Sequence, residues 1–443
     1  MHDAGAAMRV LHIITGLGVG GAEEQLRLLL RRLPRHGVHG EVVTLTEPGS
    51  VAAGIRADGT RVVHLGMAGN RDLTALPRLV GLVRAGRFDL VHTHLYRACV
   101  YGRIAARLAG VRAVVATEHS LGEAVLEGRP LTRGVRALYL ATERLGTTTV
   151  AVSDTVAGRL RRWGVPAARL CTVPNGIDAD RFRFDAGRRA RVRRRLGVAP
   201  EEFVVAGVGR LVPGKRFDVL VDAVAAVPGV RLLLAGDGPE AAALRERARA
   251  RGAGDRVRLL GACAGGLDGA AGASAGGVGD VVAMADAVDA ADVAGVVDVP
   301  GVLAAADLFV SPSREESFGL AVLEALAAGL PVRYAACPAV ADLPPGAAPG
   351  ARPLPASPHG VADALRAELA AHAAGPHRLP VPPVVGHYDI ARCAERLAGV
   401  YRDALGAPGG PGPGSGPAVP ARPAGAAAGA APSDSSSTTS PVP

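Results

Sequence analysis

Lys215 is the only lysine among the 50 lysine and arginine residues of this 443-residue chain. It lies in the segment GVGRLVPGKRFD (207–218), five residues after Arg210. A compact ammonium suits contact with a single phosphate oxygen, whereas an arginine presents a planar fork of donors. The position therefore points to phosphate binding. The alternative is a lysine that persisted by chance beside Arg216 at an exposed helix start.

Two glutamates, Glu316 and Glu324, enclose seven residues in the segment SREESFGLAVLEALAAGLPV (313–332). A helix is predicted over 317–328, and its first turn offers free backbone N–H groups and a positive dipole end, which suit a diphosphate. Gly319 lets a ligand approach the backbone closely. Glu324 lies about one turn into the helix, where it can accept hydrogen bonds from sugar hydroxyls. An ordinary helix with a capping glutamate is the alternative.

These residues need elements to position them, and short apolar runs alternate with helical patterns along most of the chain. Such alternation predicts an α/β fold with doubly wound parallel sheets and right-handed crossovers. Two separate series indicate two Rossmann-like domains joined near residues 176–200. The first series predicts strands at 9–15, 40–46, 61–66, 88–94, 112–118, 148–153 and 170–176. The second predicts strands at 202–209, 230–236, 256–261, 307–313 and 330–336.

Changes in composition predict the domain boundaries. We assign residues 8–180 to an N-terminal Rossmann-like domain and residues 181–386 to a C-terminal one. Residues 262–298 are rich in Ala, Gly, Asp and Val and contain no arginine, which predicts an inserted low-complexity loop. Residues 406–443 consist mainly of Pro, Gly, Ala, Ser and Thr and cannot bury enough apolar surface to become ordered.

Composition also argues against several classes of protein. Hydrophobic residues make up 49% of the chain and aromatic residues 3%, so the cores must be built from Ala, Val and Leu, which suits buried parallel sheets. No run of 18 or more apolar residues is free of charges, so no membrane span is expected. The N-terminal segment resembles a short strand rather than a signal peptide. Met8 is a candidate translation start, and we expect residues 1–7 to be disordered. The five cysteines include no C-x-x-C pair, which favours a reducing cytoplasm over disulfides or structural zinc.

Basic residues are concentrated between Arg181 and Arg195, where eight of fifteen residues are arginine, and the formal net charge of the chain is +9. This cluster is consistent with a solvated surface helix, a contact with anionic lipid headgroups or a nucleic-acid patch. Aromatic residues are not interleaved with the arginines, and no known nucleic-acid module is present. We therefore expect no nucleic-acid partner, while the other two interpretations stay open.

Two further patterns suggest other chemistry. Gly16, Gly18 and Gly21 satisfy G-x-G-x-x-G after a strand, and Glu47 could supply the acid of a dinucleotide site. An NAD(P)-dependent oxidoreductase is therefore the rival enzyme class, although it leaves the lysine and the two glutamates unexplained. His92 and His94 lie on one face of a predicted strand, which could suggest a metal, but no third ligand is obvious from the sequence.

Several motifs together resemble the retaining GT-B glycosyltransferases of family four, also called group 1. EESFGLAVLEALAAGLPV is similar to their E-x-x-x-x-x-x-x-E signature, and GRLVPGK to their donor-phosphate motif. The resemblance runs from about residue 8 to residue 332, with the interruption at 262–298. Further matches are the glycine loop GLGVGGAEE (16–24), the interdomain segment VPNGIDADRF (173–182) and the strand end LAGDGPE (234–240).

The resemblance assigns roles to individual residues of the donor side. Arg210 and Lys215 would hold the nucleotide diphosphate and stabilise it as a leaving group. Glu316 would contact the transferred sugar, and Glu324 the nucleotide ribose. Ser317 belongs to the same donor-binding segment. The backbone N–H groups that would bind the diphosphate are those of Phe318, Gly319 and Leu320.

On the N-terminal side, which would be the acceptor domain, Gly20 and Gly21 would close the cleft. His119, in ATEHS at a strand end, matches a cleft histidine of the family that faces the sugar or the acceptor. Asp178 and Asp180 superficially resemble the metal-binding D-x-D of another glycosyltransferase fold. Because they lie in the interdomain motif, we interpret them as turn and cap residues.

The resemblance implies transfer with retention of anomeric configuration, no resident cofactor and no metal ion. The donor would be a UDP- or GDP-sugar. The acceptor would be a glycan, a lipid-linked intermediate or a small polyol. The enzyme would work in the cytoplasm, with peripheral contact to the inner face of an anionic membrane as a further option. A catalytically inactive sugar-nucleotide-binding subunit is the non-enzymatic alternative.

The chain departs from the family after GLPV. The family usually continues with a glycine-bearing loop that ends in an acid, whereas here the sequence is RYAACPAVADLPPGAAPG (333–350). The end of the C-terminal domain is therefore not predictable from the motif. The insertion at 262–298 falls where the nucleotide base is often contacted. Residues 387–405 resemble the closing helix that crosses back to the N-terminal domain.

Overall fold

The computed structural model describes residues 7–69, 72–123, 125–127, 129–263, 297–372 and 378–406. Within them, two parallel sheets of seven and six strands are covered by helices. This arrangement confirms the predicted pair of doubly wound Rossmann-like sheets. Most of the predicted insertion and tail, at 264–296 and 407–443, lies outside the described residues, as do residues 1–6.

The first sheet is built from the N-terminal part of the chain, in the order β3-β2-β1-β4-β5-β8-β9. Its strands are short and rich in Val, Leu and Ile, as expected for strands buried on both faces. A two-stranded antiparallel hairpin, β6–β7, lies outside it. The strands are β1 Met8–Ile14, β2 Val38–Thr44, β3 Val62–His64, β4 Leu90–His94, β5 Ala113–Glu118, β6 Val125–Leu126, β7 Arg129–Pro130, β8 Thr148–Ala151 and β9 Leu170–Thr172.

The second sheet follows the interdomain segment, in the order β12-β11-β10-β13-β14-β15. All of its strand pairs are parallel, which requires helical crossovers. The strands are β10 Phe203–Val208, β11 Val230–Ala235, β12 Val257–Leu259, β13 Leu308–Ser311, β14 Val332–Tyr334 and β15 Ala351–Pro353.

Helices cover both faces of each sheet and supply its crossovers. The helices around the first sheet are Gly21–Arg32, Gly49–Ala57, Ala75–Gly86, Tyr96–Ala109, Arg133–Glu143 and Asp154–Trp163. Those around the second are Ala179–Phe182, Ala186–Arg195, Phe217–Ala225, Ala241–Ala250, Val299–Ala305, Leu320–Ala327, Pro338–Ala341, Pro358–His372 and Pro383–His387. No helix in this part of the chain combines the length and apolar character needed to cross a bilayer.

The last described helix, Ile390–Ala404, packs on the first sheet rather than the second. Its Leu397 and Tyr401 share a buried core with Val10 of β1 and Leu29 of the helix that follows. The backbone of Ile177 exchanges hydrogen bonds with this end of the chain, since Ile390 N donates to its carbonyl at 3.0 Å. The chain therefore crosses between its two halves twice.

Two small elements differ from the sequence prediction. The hairpin β6–β7 comprises two residues in each strand, too short to produce a period-two pattern. β15 follows a proline- and glycine-rich stretch and contributes three residues to an edge of the second sheet. Residues 333–350, which the family motif left open, contain the end of β14 and the short helix Pro338–Ala341.

Candidate active site

The strand order reverses once in each sheet, and ligands of open α/β sheets bind at such points, outside the carboxyl ends of the strands. In the second sheet, β10 lies between β11 and β13, so the loops after β10 and β13 leave the same edge side by side. In the first sheet, the corresponding neighbours are β1 and β4. The predicted donor-site residues follow β10 and β13, and the glycine loop follows β1.

Lys215 and Glu316 meet at the reversal point of the second sheet. Lys215 ends a single 3-10 turn, Pro213–Lys215, and its Nζ lies 2.5 Å from Oε1 of Glu316. The two loops also join through their backbones, since Arg314 N donates to the carbonyl of Gly214 at 3.1 Å. Both side chains stay partly accessible, at 26% and 15%. An ammonium and a carboxylate predicted for one site thus lie together at a cleft edge.

Two glycines shape the floor beneath the lysine. Gly236, at the end of β11, has φ +147°, and a Cβ there would lie 1.9 Å from the carbonyl oxygen of Gly209, so only glycine fits. Gly209 itself has φ +151°, and a Cβ added at this position would lie 3.5 Å from the Cε of Lys215. The loops after β10 and β11 therefore pack backbone against backbone, which fixes the turn that carries the lysine.

Arg210 follows this floor and is exposed. Its charge acts on Glu23 in the first turn of the helix Gly21–Arg32, which belongs to the N-terminal half of the molecule. Burial raises the pKa of Glu23, and the guanidinium of Arg210 opposes that rise. The predicted phosphate-binding arginine is thus in electrostatic contact with the glycine-loop side of the cleft.

The helix Leu320–Ala327 begins next to Glu316. Gly319 precedes it with φ +105°, and a Cβ at this glycine would lie 2.5 Å from the Sγ of Cys337. Among the described residues, the backbone N–H groups of Phe318, Gly319 and Leu320 donate to no other group. Phe318 is buried edge-to-face against Tyr388 at 5.0 Å, which anchors the turn. Three backbone donors without a partner in the described chain therefore lie at the N-terminus of this helix.

Contacts between the two halves surround this turn. The carbonyl of Ser317 accepts a hydrogen bond from Ser153 Oγ at 2.7 Å. Thr155 donates to the carboxylate of Asp342 through N at 3.1 Å and through Oγ1 at 2.8 Å. Arg159 forms an ion pair of 2.6 Å with Glu315. One helix of the first half, Asp154–Trp163, thus fixes the loops that flank the candidate site.

Glu324 lies partly buried, one turn inside its helix. Burial raises the pKa of its carboxyl group to about 7; Arg181 opposes the rise and Glu24 adds to it. The carboxyl group is therefore close to the interdomain arginine and to the helix after the glycine loop. When ionised, the carboxylate has two oxygens that can each accept a hydrogen bond from a ribose hydroxyl.

The glycine loop contacts the donor helix directly. A Cβ on Gly21 would lie 3.2 Å from the Cδ1 of Leu320, and one on Gly20 would lie 2.3 Å from the Oε2 of Glu23. Side chains at either glycine would push the two halves apart or displace the glutamate. The structure thus brings both predicted glycines to the mouth of the helix that starts at Leu320.

His119 lies just after β5 and is 8% exposed. Its Nε2 is 3.1 Å from the Nδ1 of His94, and burial lowers its pKa to about 4. It lines a small cavity of about 20 Å³ together with Gln25 and Asn175. The amide of Gln25 in turn accepts a hydrogen bond from Gly176 N at 3.0 Å. His119 is thus a neutral ring beneath the interdomain segment.

The histidine pair on β4 has a third neighbour that the sequence did not reveal. His12 on β1 is paired in register with His92, and ring nitrogens of His12, His92 and His94 lie within 4.8 Å of one another. Both nitrogens of His92 already have hydroxyl partners, Tyr401 OH at 2.6 Å and Thr117 Oγ1 at 2.7 Å. Hydroxyl groups therefore engage both nitrogens of His92, while Nε2 of His12 has no hydrogen-bond partner among the described residues.

The two aspartates of the interdomain motif differ from their predicted roles in one respect. Asp178 stands at the N-cap position of the helix Ala179–Phe182, but its side chain makes no capping hydrogen bond. It instead accepts from Arg32 at 3.1 Å. Asp180 is exposed and pairs with Arg183 at 3.1 Å. Asp178 therefore occupies the predicted cap position, but its carboxylate pairs with Arg32 instead of capping the helix.

The arginine-rich segment has two kinds of arginine. Arg189 and Arg193, four residues apart on one helix, clamp the carboxylate of Asp307 at 2.6 Å each. The pair therefore ties this helix to the start of β13. Arg191, Arg194 and Arg195 of the same helix are exposed, as is Arg183 before it, whereas Arg181 and Arg188 are half-buried.

Residues 19–181 match the model of Glycosyltransferase Family 4, and residues 188–266 and 270–370 match models of Glycosyl transferases group 1. A D-inositol 3-phosphate glycosyltransferase of Actinosynnema mirum is 30% identical over 345 residues, which cover 72% of this chain and 73% of the relative. The chain belongs to the group 1 glycosyltransferases. A galactosyltransferase of Escherichia coli, named as acting on alpha-D-GlcNAc-diphosphoundecaprenol, is 26% identical over 59% of this chain and 61% of its own.

The architecture of this glycosyltransferase agrees with solved structures. The Anabaena protein HepE, in complex with UDP-glucose, superposes with a TM-score of 0.71 at 21% identity and covers 88% of this chain and 98% of its own. The fold is therefore GT-B. The family assignment favours a transferase over the oxidoreductase alternative. The G-x-G-x-x-G pattern lies in the glycine loop between β1 and the helix Gly21–Arg32.

Two site features of the glycosyltransferase were not identified from sequence. Glu23 and Glu24 belong to the quoted motif GLGVGGAEE, but only the structure places them near Arg210 and Arg181. His12 sits in an apolar strand where a lone histidine carries no signal. Its role depends on the pairing of β1 with β4, which are separated by two other strands in the sequence.

Proposed function

We propose that this glycosyltransferase moves a sugar from a UDP- or GDP-sugar to an acceptor hydroxyl, with retention of anomeric configuration and without a metal ion. The observation that carries the proposal is the meeting of Lys215, Glu316 and the free N–H groups before Leu320 at one sheet edge. Cleavage of the bond between the anomeric carbon and the diphosphate builds negative charge on the leaving group. Preorganised cations and backbone donors lower the barrier to that step.

The remaining donor contacts follow from the same geometry. Arg210 and Lys215 hold the diphosphate, and the helix N-terminus contributes its dipole. Glu316, oriented by Lys215 at 2.5 Å, faces the hydroxyls of the transferred sugar. Glu324 takes the ribose, supported by its position beside Arg181. HepE, of the same fold, binds UDP-glucose, which makes uridine the first base to test.

The acceptor proposal rests on the relatives. One is named for D-inositol 3-phosphate and another for a diphosphoundecaprenol-linked sugar. We infer an acceptor that is a small phosphorylated polyol or a lipid-linked glycan. We place the acceptor on the N-terminal side of the cleft, next to the glycine loop, where Gly21 adjoins Leu320. The family resemblance assigns His119 to the same side, where its ring is largely buried.

The test is a transfer assay with a panel of UDP- and GDP-sugars and with both acceptor types. The proposal predicts product formation that persists in EDTA, and ¹H NMR of the new glycosidic bond that shows the donor's anomeric configuration. An inverted product or a strict metal requirement would contradict it. Binding of a nucleotide with no transfer or hydrolysis of any donor would instead favour an inactive binding subunit.

Peripheral membrane contact is a separate proposal. The exposed arginines Arg191, Arg194 and Arg195 are spaced three and four residues apart on one helix, so they form a cationic face that suits the anionic inner surface of the cytoplasmic membrane. Co-sedimentation with vesicles that contain phosphatidylglycerol, compared with phosphatidylcholine alone, tests it. Equal binding to both vesicle types would contradict the proposal.

A further inference from the structure

A line of buried histidines crosses the first sheet beneath His119. His12 lies on β1, His92 and His94 lie on β4, and His119 follows β5. All four are at most 8% exposed. Their common face of the sheet is covered by the helix Ile390–Ala404, since Tyr401 of that helix contacts His92. The rings are therefore packed in the core, close to the candidate site but separate from the donor-binding loops.

Three of the four rings form a continuous hydrogen-bonded chain. His12 Nδ1 is 3.1 Å from His94 Nε2, and His94 Nδ1 is 3.1 Å from His119 Nε2. Both nitrogens of the central ring are thus engaged by other imidazoles. Burial lowers the pKa of His12 to about 3 and that of His119 to about 4, and it lowers the pKa of His94 well below its usual value. All three rings are neutral at physiological pH.

Neutrality couples the protons of the three rings. A neutral imidazole has one N–H donor and one acceptor nitrogen. His94 must therefore donate at one end of the chain and accept at the other. Only two arrangements satisfy both contacts: all three rings carry the proton on Nδ1, or all three carry it on Nε2. The tautomer of His119 is consequently linked to that of His12, at the far end.

The surroundings of His12 select between the two arrangements. His12 Nε2 is buried and has no hydrogen-bond partner among the described residues. A Cβ on Gly40 would lie 3.2 Å from this nitrogen and 2.6 Å from the Cδ2 of Leu30, so the nitrogen faces a glycine backbone and a leucine. Buried N–H groups without an acceptor are rare and costly. Each arrangement leaves one buried N–H without a protein acceptor, at His12 Nε2 or at His119 Nδ1. The His119 ring lines a cavity of about 20 Å³, which has room for one water molecule as the acceptor, whereas His12 Nε2 faces a glycine backbone and a leucine. The arrangement with the protons on Nδ1 is therefore favoured.

We propose that His94 is a positioning residue that holds His119 neutral with its proton on Nδ1. His12, at the other end of the hydrogen-bonded chain, fixes the proton of His94. The Nδ1 of His119 is buried, has no partner among the described residues and belongs to a ring that lines the cavity beside Gln25 and Asn175. His119 thereby directs an N–H donor, not an acceptor, into this cavity, where one water molecule can accept it. The expected effect on transfer rests on the proposed function, whereas the tautomer does not.

His92 belongs to a separate set of hydrogen bonds. Its two nitrogens contact Tyr401 OH and Thr117 Oγ1, whose hydroxyls can each donate or accept. The ring centroid of His92 lies 4.0 Å from that of His94, so it limits the rotation of the central ring without sharing its protons. This difference supplies a matched control on the same strand and the same face.

The direct test is a long-range ¹H–¹⁵N correlation spectrum of the full chain labelled with ¹⁵N-histidine, without substrate. It distinguishes protonated from bare ring nitrogens. The proposal predicts Nδ1 protonation in His12, His94 and His119 of the wild type. A proton on Nε2 of His119 would overturn it. One equivalent of tightly bound metal in the purified protein, measured by elemental analysis, would overturn it too, because coordinated nitrogens cannot share these protons.

Variants connect the tautomer to transfer. His94→Asn keeps a nitrogen donor at the Nδ1 position, whereas His94→Leu removes it. We expect His94→Leu to yield both His119 tautomers and about a tenfold lower kcat with an unchanged KM for the donor. His94→Asn should restore the single tautomer and most of kcat. His92→Leu should leave the His119 tautomer intact and kcat within about threefold.

The outcomes separate this inference from the proposed function. If wild-type His119 has the predicted tautomer but the protein transfers no sugar from any donor, the proposed function is contradicted and the proposed tautomer is not. If His94→Leu transfers sugar with an unchanged kcat and His119 keeps its single tautomer, only the positioning role of His94 is contradicted. If His94→Leu does not fold, the wild-type and His94→Asn spectra still decide the tautomer.

Discussion

Lys215 and Glu316 illustrate how a site is assembled from single side chains. They are 101 residues apart in sequence and meet because the loops after β10 and β13 leave the same edge of the sheet. The contact places a positive charge and a carboxylate at the mouth of one helix. Removal of the carboxylate leaves the ammonium available to a phosphate, so the two residues should affect binding and transfer differently.

Glu316→Gln should therefore lower kcat by about 100-fold or more, because the sugar loses a charged partner in the transition state. Binding of UDP should stay the same or become tighter, since Lys215 is no longer neutralised. Steady-state kinetics and calorimetry with UDP measure the two effects. Glu315→Gln is the matched control; its side chain contacts Arg159 instead, and kcat should change less than threefold. Loss of UDP binding in Glu316→Gln would count against the assignment.

At the scale of elements, the decisive feature is the left-handed turn that starts the helix Leu320–Ala327. Gly319 has φ +105° and touches Cys337, which lies at the start of the helix Pro338–Ala341. The turn leaves the first N–H groups of the longer helix free of partners in the described chain. The donor-binding geometry thus depends on one backbone conformation.

Gly319→Ala should destabilise the protein by more than the strain of a positive φ alone, because the new Cβ would lie 2.5 Å from the Sγ of Cys337. Gly346 has φ +87° and no atom within 4 Å of its Cβ position, so Gly346→Ala measures the cost of the backbone conformation by itself. We expect about 1 kcal/mol for Gly346→Ala and at least about 2 kcal/mol for Gly319→Ala. Urea unfolding gives both values. Equal costs would show that the contact with Cys337 does not constrain the turn.

Sequence patterns predicted elements well where strands are buried and helices are amphipathic. The strands of both sheets, apart from β15, follow from local spacing. Contacts between distant elements did not follow. Thr155 and Asp342 are 187 residues apart, and the sequence around either residue contains no pattern that predicts their hydrogen bond. His12 was missed for the same reason, since register between β1 and β4 is a property of the sheet.

At the scale of the whole molecule, buried ionisable groups make stability depend on pH. Burial lowers the pKa of His12 to about 3, whereas an unfolded chain has a histidine pKa near 6.5. Between pH 6 and pH 4 the unfolded state binds a proton at this site that the folded state does not. Stability contributed by the neutral ring is therefore fully present above pH 6.5 and is lost as the pH falls. Glu324, with its pKa raised to about 7, acts in the opposite direction.

His12→Asn should flatten this dependence. The free energy of unfolding of the wild type should fall more steeply, by up to about 1.4 kcal/mol per pH unit between pH 6 and pH 4, than that of the variant. The difference between the two proteins isolates His12 from the carboxyl groups, which both retain. Urea unfolding followed by circular dichroism at several pH values provides the slopes. Parallel slopes would mean that His12 is protonated in the folded protein.

The central claim is that Arg210, Lys215 and the N-terminus of the helix Leu320–Ala327 converge on one pyrophosphate. Calorimetric binding of UDP and UMP to the wild type and to Lys215→Met tests it most directly, because the two ligands differ only in the β-phosphate. We expect the wild type to bind UDP with a dissociation constant more than about tenfold lower than that for UMP, and we expect Lys215→Met to lose most of this difference. The same preference for UDP in both proteins would contradict it.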